Sequence, residues 1–311
     1  MIAHSRQKVP LKFALGSATL VDIAYPTYLP SLVAPSKPRV HAEVGRYMLR
    51  LAETAEDRDA ACRLRFKVFN IELGEGLESS YRTGLDCDKF DPYCEHLLVE
   101  DKVDGNIVGT YRMQSGSTAA SNLGYYSEQE FSFVPYEPLR AGILELGRAS
   151  IDREHRTPEV LTLLWRGIAQ YANDMGLRYL IGCSSLTSKD PAEGWQMYRQ
   201  LEQYRVPPEF ETVPTAGFAC PNEHEGTRAQ PSPCYTDGRL PDSLSSGSTP
   251  TQTPIQTKIP RLLKTYLAIG ARIGAPPAWD REFGTIDFLT LLDLKLLSAS
   301  ARNRFLAPLT Q

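Results

Sequence analysis

The fold class that this 311-residue chain predicts is a mixed α/β domain with antiparallel hairpins and one βαβ crossover. Three observations carry the prediction. An Asp104-Gly105 pair separates two strand-like runs, Glu95–Asp101 and Asn106–Arg112, which is the signal of a β-hairpin. A helix opening at Thr157-Pro158-Glu159 lies between strand-like runs at Ile143–Ile151 and Leu177–Cys183, the order of a crossover. Elsewhere the apolar residues change between strand and helix periods, with no internal repeat.

Taken in order, residues 1–45 are Pro-rich and weakly periodic and read as a loosely ordered arm. The run Arg46-Tyr-Met-Leu-Arg-Leu-Ala52 then alternates like a half-buried strand. Thr54 and Asp57 offer a helix start, which Ala61, Leu64, Arg65, Val68 and Phe69 continue at helical spacing before Gly74 and Gly76 open a polar loop. In the crossover helix Val160, Leu161, Leu164, Ile168, Tyr171 and Met175 share one face, and Gly176 closes it. Further helices are expected over Pro191–Tyr204 and Pro260–Ala271, and a strand near Ile286–Leu291. Of the 27 residues 231–257, 17 are Pro, Ser, Thr or Gly, too few of them apolar to offset the entropy of ordering. Residues 221–257 therefore read as a disordered insertion within a domain running from 46 to 311.

Composition narrows the function. Hydrophobic residues make up 42% and charged residues 23%, enough for a globular core, and no apolar run is long enough to span a membrane. The net charge of −3 argues against a general nucleic-acid binder. Both ends are nevertheless basic, residues 1–45 with five Lys or Arg against two acids and residues 258–311 with eight against four. Such ends fit either solubilising charge or contact with an anionic lipid surface or acidic protein. Cys62, Cys87, Cys94, Cys183, Cys220 and Cys234 form no CxxC pair, so zinc is not expected and reduced cytoplasmic thiols are. The chain has no GxGxxG, GxxxxGK[ST], GxSxG or HExxH motif.

What remains is charge at the ends of apolar segments: Arg65, Asp88, Asp91, His96, Arg112, Glu145 and Arg148. Glu145 alternates with Leu144 and Leu146, so a strand puts it on the face opposite them. Burial raises a carboxylate pKa and a nearby Arg lowers it, and the balance can yield a general base. On spacing alone a structural Glu145–Arg148 ion pair is the better supported reading.

A family resemblance adds to this. Leu64-Arg-Phe-Lys-Val-Phe69, Asp88-Lys-Phe-Asp91, Cys94-Glu-His-Leu-Leu-Val99, Gly109-Thr-Tyr-Arg112, Gly124-Tyr-Tyr-Ser-Glu-Gln-Glu-Phe131, Leu144-Glu-Leu-Gly-Arg148 and Leu163-Leu-Trp-Arg-Gly-Ile168 occur in one order. With Pro260–Ala271 and Phe283-Gly-Thr-Ile-Asp287, this series resembles the GNAT-fold N-acyltransferases that make lyso-ornithine lipid, often called hemolysin-like. More distantly it is similar to acyl-homoserine-lactone synthases and N-acyl amino acid synthases.

The resemblance implies a central mixed, mostly antiparallel sheet flanked by helices. It also implies transfer of a (3-hydroxy)fatty acyl group from acyl carrier protein to the α-amine of an amino acid, ornithine foremost. The other readings are another acceptor, acyl-homoserine-lactone synthesis, or a non-catalytic acyl or carrier-protein binding module. The thioester would lie between splayed strands at Ile143–Ile151 and Leu177–Cys183, with Glu145 as base. Arg65, Arg112, Asp88, Asp91 and Arg148 would place substrate and brace the Glu, Arg148 more as brace than ligand. Asp88 and Asp91 fit loop caps equally well.

Where CoA-using relatives have a glycine-rich pyrophosphate loop, this chain has Arg153-Glu-His-Arg-Thr-Pro158, with no glycine and one amide fewer. That favours a carrier-protein thioester as co-substrate, with no further cofactor and no metal, and Arg153, Arg156 and Arg166 could meet the carrier's acidic surface. Leu161, Leu164, Trp165 and Tyr171 read as core before acyl tunnel, and the basic segment 258–272 as a packed helix before an interfacial one. A cytoplasmic protein, peripheral to the inner membrane at most, is the expectation.

Overall fold

The computed structural model describes residues 38–221 and 257–305, so most of the N-terminal arm and all but the end residues of the insertion lie outside the described residues. Nine strands form one sheet: β1 (His41–Val44), β2 (Tyr47–Leu51), β3 (Glu95–Asp101), β4 (Asn106–Ser115), β5 (Ile143–Ile151), β6 (Tyr179–Leu186), β7 (Arg272–Ile273), β8 (Ala278–Asp280) and β9 (Thr285–Asp293). Their spatial order is β1-β2-β3-β4-β5-β6-β9-β7, with β8 also paired to β9. Only β5 and β6 run parallel; every other pair is antiparallel. The described helices are α1 (Ala55–Phe66), α2 (Gly116–Ser121), α3 (Pro158–Asp174), α4 (Pro191–Gln200), α5 (Arg261–Ile269) and α6 (Ala299–Phe305). The predicted mixed sheet is present, and α3 is its crossover between β5 and β6.

Local chemistry explains the main boundaries. The Thr54 hydroxyl accepts the Asp57 amide at 3.1 Å while the Asp57 carboxylate accepts the Thr54 amide, a reciprocal cap at the start of α1. Thr157 caps α3 with Pro158 in its first turn. Gly105, at φ 73°, turns the β3–β4 hairpin in a region costly for other residues.

Three expectations need correction. The arm does not reach residue 45, because His41–Val44 forms β1, paired to β2. Only Ala42 of that strand faces inward in full, so it shows little apolar alternation. The strand expected over Leu177–Cys183 starts at Tyr179 and runs on to Leu186, since β9 pairs along its whole length. The helix expected to reach Tyr204 ends at Gln200 and passes into a short 3-10 turn, Glu202–Tyr204.

The core has three parts. α3 lays Val160, Leu164 and Ile168 against Leu49, Leu97, Val99 and Met113 of the sheet. Aromatic residues between β4 and β5, Tyr125, Phe131, Phe133 and Tyr136, pack with Ile143, Ile181 and Leu289. The third part joins Met197 and Leu201 to Leu263, Leu267, Ile286 and Phe288. α5 is thus a packed helix, with Leu263, Leu267 and Ile269 turned inward. Among the described residues no helix is long and apolar enough to cross a membrane.

Candidate active site

β5 and β6 pair only at Ile143–Tyr179, Leu144–Leu180 and Glu145–Ile181, then part. Gly182 stands at the fork: a Cβ there would lie 2.2 Å from the Leu146 carbonyl oxygen, so a side chain would force the backbones apart. A cavity of about 610 Å³ fills the fork, lined by Leu146–Ile151 and Leu180–Ser185. On its other side β5 is bulged. Arg112 pairs with Gly147 and Thr110 with Ser150, so Arg148 and Ala149 together oppose Tyr111. Arg148, at φ 52°, is the described non-glycine residue with left-handed backbone. Such strain is of order 1 kcal/mol or more and is held in place by its surroundings.

Glu145 sits at the last rung before the fork and faces the cavity. Its Oε1 accepts the Ser127 amide at 2.7 Å and the Ser127 hydroxyl at 2.6 Å, and its Oε2 accepts the Tyr126 amide at 2.8 Å. Burial pushes the Glu145 carboxyl above its ordinary value, against the pull of these donors and of Arg112. Oε2 keeps a lone pair for a donor in the cavity. The expected Glu145–Arg148 pair does not form.

Arg148 turns instead to Asp88 at 3.1 Å and Asp86 at 3.5 Å, with its guanidinium over the rings of Phe283 and Tyr126 at 4.4 and 5.0 Å. It belongs to a network of three arginines and three aspartates. Arg65 holds Asp86 at 2.7 Å and Asp91 at 2.7 Å, and Arg112 holds Asp88 at 2.7 Å and Asp91 at 3.1 Å. Although burial opposes it, Arg112 and Arg148 keep Asp88 below its ordinary pKa. Both aspartates are also loop caps, Asp91 accepting the Asp88 amide and Asp88 the Phe90 amide.

The predicted residues therefore divide. Glu145, Arg112 and Arg148 line the cavity, whereas Arg65, Asp88 and Asp91 stand behind its wall. Arg65 is 0% exposed and grips only the network. Of the arginines assigned to a carrier protein, Arg156 lines the cavity and pairs with Glu72 at 2.7 Å, Arg153 is exposed, and Arg166 is half-buried on α3. Leu161 and Trp165 line the cavity, whereas Leu164 and Tyr171 are core.

Other contributors escaped sequence reasoning. Asp86 completes the network, and Tyr126 and Ser127 hold Glu145 largely through backbone amides, which no residue type announces. Gln114, opposite Glu145 on β4, is 2% exposed with no partner at either amide atom, and it lines the cavity. Glu75, Asp280 and Asp287 also face the cavity, and Glu130 lies within 4.8 Å of the last two. Burial disfavours the thiolate form of the cavity cysteines, pushing Cys94 up to about 12 and Cys183 well above its ordinary value.

The chain is similar to known proteins, over one segment and over most of its length. Residues 64–166 match the acetyltransferase (GNAT) domain. The chain is 29% identical over 300 residues to the L-ornithine N(alpha)-acyltransferase of Rhizobium meliloti (strain 1021), covering 94% of each chain. It is 29% identical to the enzyme of the same name from Brucella abortus (strain 2308), covering 82% of this chain and 87% of that one. Among solved structures, the AHL synthase LasI superposes with a TM-score of 0.45 at 11% identity, covering 86% of this chain and 98% of that one. Residues 64–166 are thus similar to the acetyltransferase (GNAT) domain, and the chain over most of its length is similar to L-ornithine N(alpha)-acyltransferases.

Proposed function

We propose that this protein transfers a fatty acyl group from a carrier-bound thioester to the α-amine of ornithine. The observation that carries the reading is Glu145, a buried carboxylate whose Oε2 accepts a single hydrogen bond and which lines a mostly apolar cavity at the fork of two strands. Val68, Phe69, Leu161, Trp165 and Leu262 offer walls for an acyl chain. In the fork, strand amides freed from β5–β6 pairing are donors for the thioester carbonyl and for the oxyanion that forms from it. Glu145 Oε2 takes a proton from the substrate ammonium. The freed amine attacks the thioester carbon, the amide C–N bond forms as the C–S bond breaks, and the carrier thiol leaves with a proton. Arg112 and Arg148, already on the wall, give the α-carboxylate a positive surface. The glycine-free turn Arg153–Pro158 supports acyl carrier protein over CoA as donor.

The test is an acylation assay on the full chain with 3-hydroxyacyl carrier protein, the matching acyl-CoA and a set of amino acids, products read by mass spectrometry. N-acylornithine should form from the carrier-protein donor. Glu145→Gln should lower kcat by roughly 10²–10⁴-fold, the range for loss of a general base. A mutant as active as wild type would remove Glu145 from that role.

A further inference from the structure

We propose that Asp280 and Asp287, backed by Glu130, form the subsite that receives the side-chain ammonium of a basic amino acid whose α-amine is acylated beside Glu145. The inference rests on the acyltransferase reading above and names how the same cavity selects its acceptor.

Carboxylate oxygens of the three residues lie within 4.8 Å of one another, and their residues are 0%, 5% and 4% exposed for Glu130, Asp280 and Asp287. Among the described residues none of the three makes an ion pair, in contrast to the Arg65–Arg112–Arg148 network, where every aspartate is matched. Asp280 Oδ1 accepts the amides of Glu282 and Phe283 at 2.9 and 2.8 Å, and its Oδ2 the Tyr126 hydroxyl at 3.4 Å. Asp287 Oδ2 accepts the Thr285 hydroxyl at 3.4 Å. Asp287 Oδ1 and both Glu130 oxygens receive no hydrogen bond of ordinary geometry, although Glu130 and Asp287 lie close enough to share a proton, with Cys183 beside Glu130 and Ser185 beside Asp287. Burial and the crowding of like charge push Glu130 well above its usual range and Asp287 up to about 6. Three carboxyl groups have been gathered here with no cation paired to them among the described residues.

Position ties the cluster to the reaction. Asp280 and Asp287 line the cavity that Glu145 faces, with Glu130 directly behind. Asp287 is opposite Ser185 on β6, so it shares a face with Cys183 two residues away, whose Sγ is 3.5 Å from the Ser127 hydroxyl that binds Glu145. Tyr126 spans the gap: its amide is on Glu145, its ring lies under Arg112 and Arg148, and its hydroxyl is on Asp280. One tyrosine therefore separates base from acidic cluster, a reach that suits the short methylene arm of ornithine.

A second, independent observation points to a polar ligand in this space. The buried Gln114 amide lines the same cavity without a partner, on the face of Glu145, ready to meet the backbone polar groups of an amino acid. An ammonium fits the cluster better than a divalent metal. It brings three donors to the few free oxygens here. Calcium or magnesium asks for six or more oxygens around it. The Phe283 ring on the cavity wall suits a methylene stem.

The experiment compares ornithine with norvaline, which lacks the side-chain amine, as acceptors for wild type, Asp287→Asn and Glu130→Gln, alongside calorimetric binding of each amino acid. Wild type should prefer ornithine by at least about 100-fold in kcat/KM, because norvaline leaves the carboxylates unmatched. Asp287→Asn should raise KM for ornithine about 10-fold or more and affect norvaline far less, so the ratio between the two acceptors collapses. Its melting temperature should hold or rise, since a repelled carboxylate is gone, which separates the effect from misfolding. Variants that keep the ornithine preference overturn the subsite. So does binding of bare Mg²⁺ or Ca²⁺ that Asp287→Asn abolishes while acylation follows the metal. If wild type acylates no amine, the acyltransferase reading fails. In that case ornithine binding weakened by Asp287→Asn still supports the subsite, and no ornithine binding sinks it.

Discussion

Asp91 shows how much one side chain can carry: it accepts from Arg65, Arg112 and the Asp88 amide, and its carbonyl meets His96 Nε2 at 3.1 Å. That carbonyl is an acceptor, so His96 holds its proton on Nε2, and its Nδ1 has no partner. Burial lowers His96 to about 4. The folded chain thus resists a proton that the unfolded chain accepts near pH 6.5, and the stabilisation is complete above that pH and drains as pH falls towards 4. Its size is on the order of 3 kcal/mol. Asp287 runs the other way, with a raised pKa whose stabilisation is present at low pH and lost as pH rises through about 6. Bulk acid unfolding mixes the two, so the check is the His96 imidazole signal by NMR, expected to titrate below pH 5. A midpoint near 6.5 would mean that water reaches the ring. At this scale the sequence was partly legible. Glu145, Arg112 and Arg148 stand out as charges on apolar strands, but nothing in residue type assigns Arg148 to Asp88 rather than to Glu145, since that choice is made by a left-handed bulge. Asp86, 21 residues from Arg65, carries no local signal at all.

At the scale of elements, the fork between β5 and β6 does most to make a site. Glycine serves it in two ways. Gly182 is forced by contact with the Leu146 carbonyl, whereas a Cβ on Gly147 would meet nothing within 4 Å, because it points into open space beside Glu145 and Arg148. Gly182→Ala should therefore destabilise the fold by about 1–3 kcal/mol, as overpacking does. Gly147→Val should leave the melting temperature nearly unchanged and lower acylation about 100-fold by displacing the acceptor. Equal thermal losses in the two variants would contradict this assignment. The strongly patterned elements were readable in advance: the Thr54 cap, the Thr157-Pro158 opening, the Asp104-Gly105 turn and the crossover. The unreadable ones are short edge strands, β1, β7 and β8, and the irregular stretch from Tyr125 to Gly142, where 3-10 turns leave no period to detect. Tyr126, Ser127 and Glu130 sit in that stretch.

For the molecule as a whole, the segment that matches the GNAT domain, residues 64–166, does not contain its own neighbours in the sheet. β3 needs β2, β5 needs β6, and α1 would be cut inside its length. A polypeptide of residues 64–166 should show no cooperative thermal transition by circular dichroism, whereas the full chain should melt cooperatively. The C-terminal part is also where the sequence separations are greatest: Glu130 and Asp287 meet across the domain, so no local pattern could pair them. β6 holds β5 through three register pairs but β9 through eight. On the ribosome β6 emerges long before β9. At roughly 5–20 residues per second, the interval is on the order of 5–20 seconds, during which the fork has one wall weakly held and the acceptor side lacks Asp280 and Asp287. The nascent chain therefore has the apolar walls of the cleft before it has the carboxylates that would recognise an amine.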